Sequence, residues 1–406
     1  MRVHISTSFL YLILPFIVLF SALTSPAQSI INADSLAKNT FGWNQQEREF
    51  GFAHFDEVFN THNVPKGGKV HKLPQAAPIT AFSKGGQKEK QLDAFITTQK
   101  VAGILILQNG KIRLERYALG FSDGQRWTSQ SVAKSVTSIL VGAAIKDGYI
   151  ESIDDFVTKY LPDLKGSAYD KVTIRNMLTM TTGVKWTETY TDPNADIVKF
   201  YTQPIDSGMD ETVSYMRHLP AEAEPGKKWA YKTGETHLLG ALVSAATGKT
   251  LSEYLSLKIW VPYGMESKAT WNIGRTSQEF AGCCLQMKLR DFGRFGQFIL
   301  DSARINGKSI VPGDWLQLAT HAQVKLWPGW GYGFQWWTLD DGTFRALGIH
   351  GQMIHIDPSR HLVVVLNSAW PEAESFTRQI EVDNFLRSVN KEIDKEKNNL
   401  TNSAPL

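Results

Sequence analysis

The sequence predicts an α+β protein in which both ends of the chain build an antiparallel sheet flanked by helices, with an all-helical domain inserted between them. Gly103-Ile104-Leu105-Ile106-Leu107 and Ile112-Arg113-Leu114-Glu115-Arg116-Tyr117 flank Asn109-Gly110, and an Asn-Gly pair between β-rich runs is a strong hairpin signal. Strand-like runs return late in the chain at Phe334-Gln335-Trp336-Trp337, Ile354-His355-Ile356 and Leu362-Val363-Val364-Val365-Leu366. From Tyr149 to about Phe280 the pattern is helical and rich in loops.

Taken in order, Met1-Arg2-Val3-His4, the apolar stretch Phe9 to Leu23, and Thr24-Ser25-Pro26-Ala27 read as a signal peptide over residues 1–27. The apolar stretch is short for a retained anchor, so the expected location is exported, periplasmic or secreted, with no stable membrane span after cleavage. Residues 28–95 form an irregular arm that Phe50-Gly51-Phe52 and Phe55 could pin to a domain. Residues 96–150 make the first part of the α/β domain, 151–284 the helical domain and 285–392 the second part. Within the helical domain, Val172–Met180 and His237–Val243 read as helices, and Leu251 to Trp260 as an amphipathic one. The charged tail, 393–406, reads as disordered.

The chain has 406 residues, 42% hydrophobic, enough for a substantial core. Lys+Arg 43 against Asp+Glu 40 is nearly balanced, and no basic stripe suggests nucleic acid. Cys283 and Cys284 are adjacent, and a bridge between neighbours is strained, so two buried thiols are expected. No ligand set for a metal and no cofactor motif stands out.

The chain is organised around Thr128-Ser129-Gln130-Ser131-Val132-Ala133-Lys134-Ser135, which opens an apolar run from Val136 to Ile145. That run reads as a buried helix capped at Gly148. Ser131 falls in its first turn, with Lys134 one turn on along the same face. A hydroxyl beside an ammonium at a helix N-terminus suits an activated nucleophile.

Other polar residues could complete a site. Tyr231 lies in the turn-rich Pro225–Gly234 loop, where neighbouring lysines could stabilise its phenolate as a base; a Tyr packed under the loop is the competing reading. Gly348-Ile349-His350-Gly351-Gln352 precedes a strand, and an N–H there could form an oxyanion hole with that of Ser131; an ordinary turn or bulge competes. His350 is a better cleft-lining residue than a base, since no Gly-x-Ser-x-Gly elbow is present. Tyr190 belongs to a polar aromatic loop, and Trp330, in Gly329-Trp330-Gly331-Tyr332-Gly333, could join an aromatic wall.

With Ser131-x-x-Lys134, Tyr231-x-Thr233 and the Gly348 strand in this order, the chain resembles the penicillin-recognising serine hydrolases, a superfamily of class C β-lactamases, DD-peptidases, esterases and 6-aminohexanoate-dimer hydrolases. The likeness is greatest to the last group and runs from Val101 to Arg387, through Thr173–Val184, Tyr231–Thr236, Gly282–Leu285 and Gly348–Pro358. It implies the β-lactamase/transpeptidase-like fold, with Ser131 as nucleophile, Lys134 as its activating partner and Tyr231 as the base that relays the proton. It also implies an oxyanion hole from the backbone of Ser131 and Ile349, and Tyr190 holding a substrate amide. Thr233, Gly348, His350, Gly351, Gln352 and Trp330 are the further substrate-binding candidates.

Two departures bear on substrate. Ala346-Leu347-Gly348 stands where many members carry Lys/His-Thr/Ser-Gly for a substrate carboxylate, and Thr233 stands where β-lactamases usually carry Asn. The expected activity is therefore hydrolysis of a small amide or ester through a Ser131 acyl-enzyme, by a protein that could form homodimers. A β-lactamase or DD-peptidase, and a non-turnover acyl-binding sensor, are the alternatives.

Overall fold

The computed structural model describes Ile31, Ala33, Leu36 and residues 39–402. The expected signal peptide at 1–27 lies outside the described residues. Eight antiparallel strands make the main sheet, in the spatial order Lys111–Tyr117, Val101–Gln108, Leu362–Ser368, Gln352–Asp357, Phe344–Gly348, Trp337–Leu339, Trp330–Tyr332 and Val324–Lys325. The first two form the expected hairpin, and its turn residues both take positive φ, 52° at Asn109 and 70° at Gly110. The fold is α+β, an antiparallel sheet flanked by helices, as the sequence predicts.

The central strands are apolar at nearly every position because helices cover both faces. Ile104, Ile106, Val364 and Leu366 point to one face, where Leu92 and Phe95 of helix Glu89–Thr98 meet Phe385, Leu386 and Val389 of helix Phe376–Asn402. Helix Leu289–Leu300 packs on Val101–Gln108, Leu362–Ser368 and Gln352–Asp357 from the opposite side. A second sheet has the order Thr61–Val64, Ala269–Asn272, Leu285–Met287 and Trp127–Thr128. Its last strand delivers the chain to helix Val132–Lys146. That helix is buried along almost its whole length, packs against helix Thr233–Thr247, and ends at Gly148 with φ 81°.

Three details differ from the sequence reading. Gln335, expected in a strand, takes φ 64° and donates through its backbone and side chain to the carbonyls of helix Ile174–Leu178, so pairing starts later, at Trp337. Helix Leu251–Leu255 gives way to a π-helical segment, Ser256–Gly264, containing Pro262. The tail expected to be disordered from 393 continues the final helix to Asn402, because it has partners on the body. Ile393 is 4% exposed, Asp394 accepts two bonds from Arg360 (3.0 and 2.9 Å), and Glu396 accepts from Thr80 N (2.9 Å).

Ile393→Ala is therefore expected to cost about 2–4 kcal/mol in a urea unfolding curve, the usual loss for truncating a buried Ile. A disordered tail would give no change.

Candidate active site

Gln130 turns the chain out of the Trp127–Thr128 strand with φ 44°, in the left-handed region. Ser131 then stands as the N-cap of the helix, one position earlier than expected, and its side chain makes no capping bond. Its hydroxyl lies 3.0 Å from Lys134 Nζ. Lys134 is 2% exposed, and this burial holds its amine down to about 7, against the upward pull of the Glu188 charge.

The neighbours of Lys134 decide where its hydrogens go. Nζ lies 3.0 Å from Thr233 Oγ1 and 2.7 Å from the carbonyl of Gly282. Thr233 Oγ1 donates its own proton to Glu188 Oε1, and a carbonyl can only accept. Both contacts must therefore take N–H groups from Lys134. A neutral amine has no third hydrogen, so its lone pair faces the Ser131 hydroxyl.

Tyr231 lies beside Ser131, and its ring centroid lies 4.9 Å from Lys134 Nζ. Burial first, and the Glu188 charge second, push its phenol above the ordinary value, so it is a proton donor near neutral pH. The expected lysine-stabilised phenolate is corrected here, because the neighbouring lysines are engaged elsewhere. Lys232 is buried against Thr182 (3.0 Å) and Glu235 (3.4 Å), and Lys228 pairs with Glu222 (2.7 Å). Trp337 stacks on Tyr231 at 5.8 Å.

Sequence reasoning missed Glu188 as a site residue. It accepts from Tyr190 OH (2.9 Å), Thr233 N (3.0 Å), Thr233 Oγ1 and Trp186 Nε1, and so joins the aromatic loop to the start of helix Thr233–Thr247. The only local signal is a carboxylate amid Trp186, Thr187, Thr189 and Tyr190. With its proton given to Glu188, Tyr190 keeps oxygen lone pairs for another donor.

A cleft of about 520 Å³ opens on Ser131, Gln130, Tyr190, Thr233 and Ile349. Its apolar wall includes Phe41, Phe55 and Phe59 from the N-terminal arm, a contribution the sequence did not reveal, as well as Ile197, Tyr201 and Phe280. Gly348 brings its strand hard against the serine turn: a Cβ there would lie 2.8 Å from the carbonyl of Ser129 and 2.9 Å from the amide of Ser131. This closeness puts Ile349 on the cleft wall.

The next three candidates do not line the cleft, which corrects their expected substrate role. His350 turns inward at φ 60°, bonds Trp370 O through Nδ1 (2.8 Å) and packs on Phe52; burial lowers its imidazole to about 4. Gly351 lies against Trp370, where a Cβ would come within 2.5 Å of the indole. Gln352 accepts from Trp127 Nε1 (2.9 Å) and exchanges bonds with the backbone of Ser368 (2.7 and 3.1 Å). Trp330 is half-buried beside Trp337 (6.2 Å), which stacks on Tyr231, and the Arg345 guanidinium (5.3 Å).

The two cysteines form a disulfide, contrary to the expectation of free thiols. Cys284 takes φ 68°, and this left-handed turn lets adjacent side chains meet where ordinary backbone would not. Both residues sit on the cleft wall. Among the described residues, no group of three or more His, Cys, Asp or Glu side chains is placed to hold a metal ion.

Comparison with known proteins identifies the family and the fold. The profile of the family described as Beta-lactamase matches residues 89–383. The 6-aminohexanoate-dimer hydrolase of Paenarthrobacter ureafaciens is 27% identical over 343 residues, 80% of this chain and 86% of that protein. Among solved structures, one described as "Putative 6-aminohexanoate-dimer hydrolase from Bacillus anthracis" superposes with a TM-score of 0.74 at 24% identity, covering 86% of this chain and 94% of that one. A class C β-lactamase superposes with a TM-score of 0.55 at 13% identity, covering 72% and 92%.

Gly348→Ala is expected to slow labelling of Ser131 by a fluorophosphonate about tenfold to a hundredfold, because the added methyl displaces the serine turn. Labelling at the native rate would show that the turn tolerates it.

Proposed function

Because the chain belongs to the Beta-lactamase family, whose profile covers residues 89–383, we propose that this serine hydrolase cleaves a small amide or ester through a Ser131 acyl-enzyme. The observation that carries the reading is the setting of Lys134 Nζ, 3.0 Å from Ser131 Oγ and held by Thr233 Oγ1 and the Gly282 carbonyl, so that the neutral amine turns its lone pair to the serine. Ser131 Oγ attacks the carbonyl as Lys134 takes its proton. The N–H groups of Ser131 and Ile349 receive the developing oxyanion. The Tyr231 phenol protonates the leaving amine or alcohol and recovers a proton from Lys134. Water then enters, with the same groups running in reverse, and releases the acid.

The features around the nucleophile favour this substrate class over a β-lactam. Ala346 and Leu347 offer no cation or hydroxyl to a substrate carboxylate, and Phe41, Phe55 and Ile197 favour an apolar acyl or amine chain. Tyr190 can accept a hydrogen bond from a substrate N–H. The relative named for 6-aminohexanoate-dimer hydrolysis supports amide cleavage. The apolar stretch Phe9 to Leu23 supports export.

Ser131→Ala is expected to reduce turnover of p-nitrophenyl esters roughly 10⁴-fold or more while the circular dichroism spectrum is kept. Native-like turnover in that variant would remove Ser131 from the mechanism. A panel of amides, short-chain esters and nitrocefin tests the substrate class: enzyme-like rates on nitrocefin alone would favour the lactamase reading.

The pH dependence follows from Lys134. Its neutral form is the proton acceptor, so kcat/KM should rise with pH to half its plateau near pH 7 and fall on the acid side. Glu188 raises the Lys134 value, so Glu188→Gln should move this acid limb to lower pH. A limb that stays in place would separate Glu188 from the titration.

A further inference from the structure

The disulfide plays no part in the scheme above, yet it closes immediately after Gly282, whose carbonyl takes one of the Lys134 N–H groups. The turn is anchored on either side of the bridge. Before it, Ala281 O accepts from Thr137 Oγ1 (2.8 Å) on the Ser131 helix, and Gly282 N donates to His237 Nδ1 (3.0 Å). At the bridge itself, Trp271 Nε1 donates to Cys283 O (2.9 Å) and Asn272 N to Cys284 O (3.1 Å), which ties it to the Ala269–Asn272 strand. Between these anchors Cys284 holds φ 68°, a conformation an L residue with a side chain reaches only at a cost. With the link cut, Cys284 can relax toward negative φ, which rotates the peptide groups next to Gly282.

We propose that the Cys283–Cys284 disulfide is a positioning element for Lys134: it fixes the Gly282 carbonyl so that the amine lone pair stays aimed at Ser131, and its reduction by a dithiol reversibly weakens the nucleophile. This rests on the acyl-enzyme reading, in which Lys134 is the proton acceptor. In the reduction the dithiol gives up two electrons and two protons to become its own cyclic disulfide, and Cys283 and Cys284 each become a thiol. The charged and titratable groups that face Lys134 are Glu188 from the aromatic loop, Tyr231 from the loop before helix Thr233–Thr247, and His237 from that helix.

The test uses the full chain, oxidised and after dithiothreitol, with thiol alkylation and mass spectrometry reporting the state of the bridge. The readout is the rate at which a fluorophosphonate labels Ser131 across pH, with a melting curve alongside. The reduced protein should label about tenfold more slowly at the alkaline plateau, with a displaced pH midpoint, and reoxidation should restore both. A Cys283→Ser/Cys284→Ser double variant should match the reduced protein. An unchanged rate and midpoint in fully reduced protein would overturn the proposal. So would a slower rate with an unmoved midpoint and a lowered melting temperature, which would mark the bridge as a fold staple. If the double variant does not fold, reduction of the folded wild type decides alone. Oxidised protein that labels normally but never turns over an ester would fail the hydrolase reading and leave this inference standing.

Discussion

Burial poises the amine of Lys134 between its charged and neutral forms near pH 7, and the centre of this protein depends on that poise. Taking an ammonium out of water is costly, and the enclosure of Lys134 is what makes the neutral amine accessible near pH 7. Neutrality by itself would leave the lone pair free to point anywhere. Thr233 and Gly282 remove that freedom, one because its own proton is committed to Glu188 and the other because it has none to give. Direction at the serine is thus set by residues far from it in sequence.

This explains why several elements converge on so small a volume. The serine helix supplies Ser131 and Lys134, helix Thr233–Thr247 supplies Thr233, and the turn before the Leu285–Met287 strand supplies Gly282. The interior strand Phe344–Gly348 of the main sheet ends at Gly348, where the absence of a side chain permits contact with the serine turn. Glu188 lies one hydrogen bond further out and ties Tyr190 to the same set. A shift at Thr233 or Gly282 reaches the nucleophile through two hydrogen bonds, and one at Glu188 through three.

What the sequence made legible follows from how local each signal is. The Asn109-Gly110 hairpin and the Ser131–Lys134 pair are encoded within a few residues, by turn chemistry and helical spacing, and both are present. The order of Ser131, Tyr231 and Gly348 carried the fold. The inward turn of His350 depends on a positive φ and on Trp370, neither visible locally. Glu188 gains its place only when the aromatic loop closes on Thr233. Nor could charge composition show that Asp394 and Glu396 find partners on the body of the protein. The adjacent cysteines were misread because the cost of a bridge was judged for ordinary backbone, without the left-handed turn at Cys284.

The pairing of Val101–Gln108 with Leu362–Ser368 joins an early and a late segment of the chain side by side in the main sheet. During synthesis the serine helix and the helical segment leave the ribosome long before that partner strand exists. Until it arrives, the apolar faces of the early hairpin have only one neighbour, and such non-local contacts are slow to form. Nucleophile and enclosure therefore mature together, late, and the chain gains its chemistry only when almost all of it has been made.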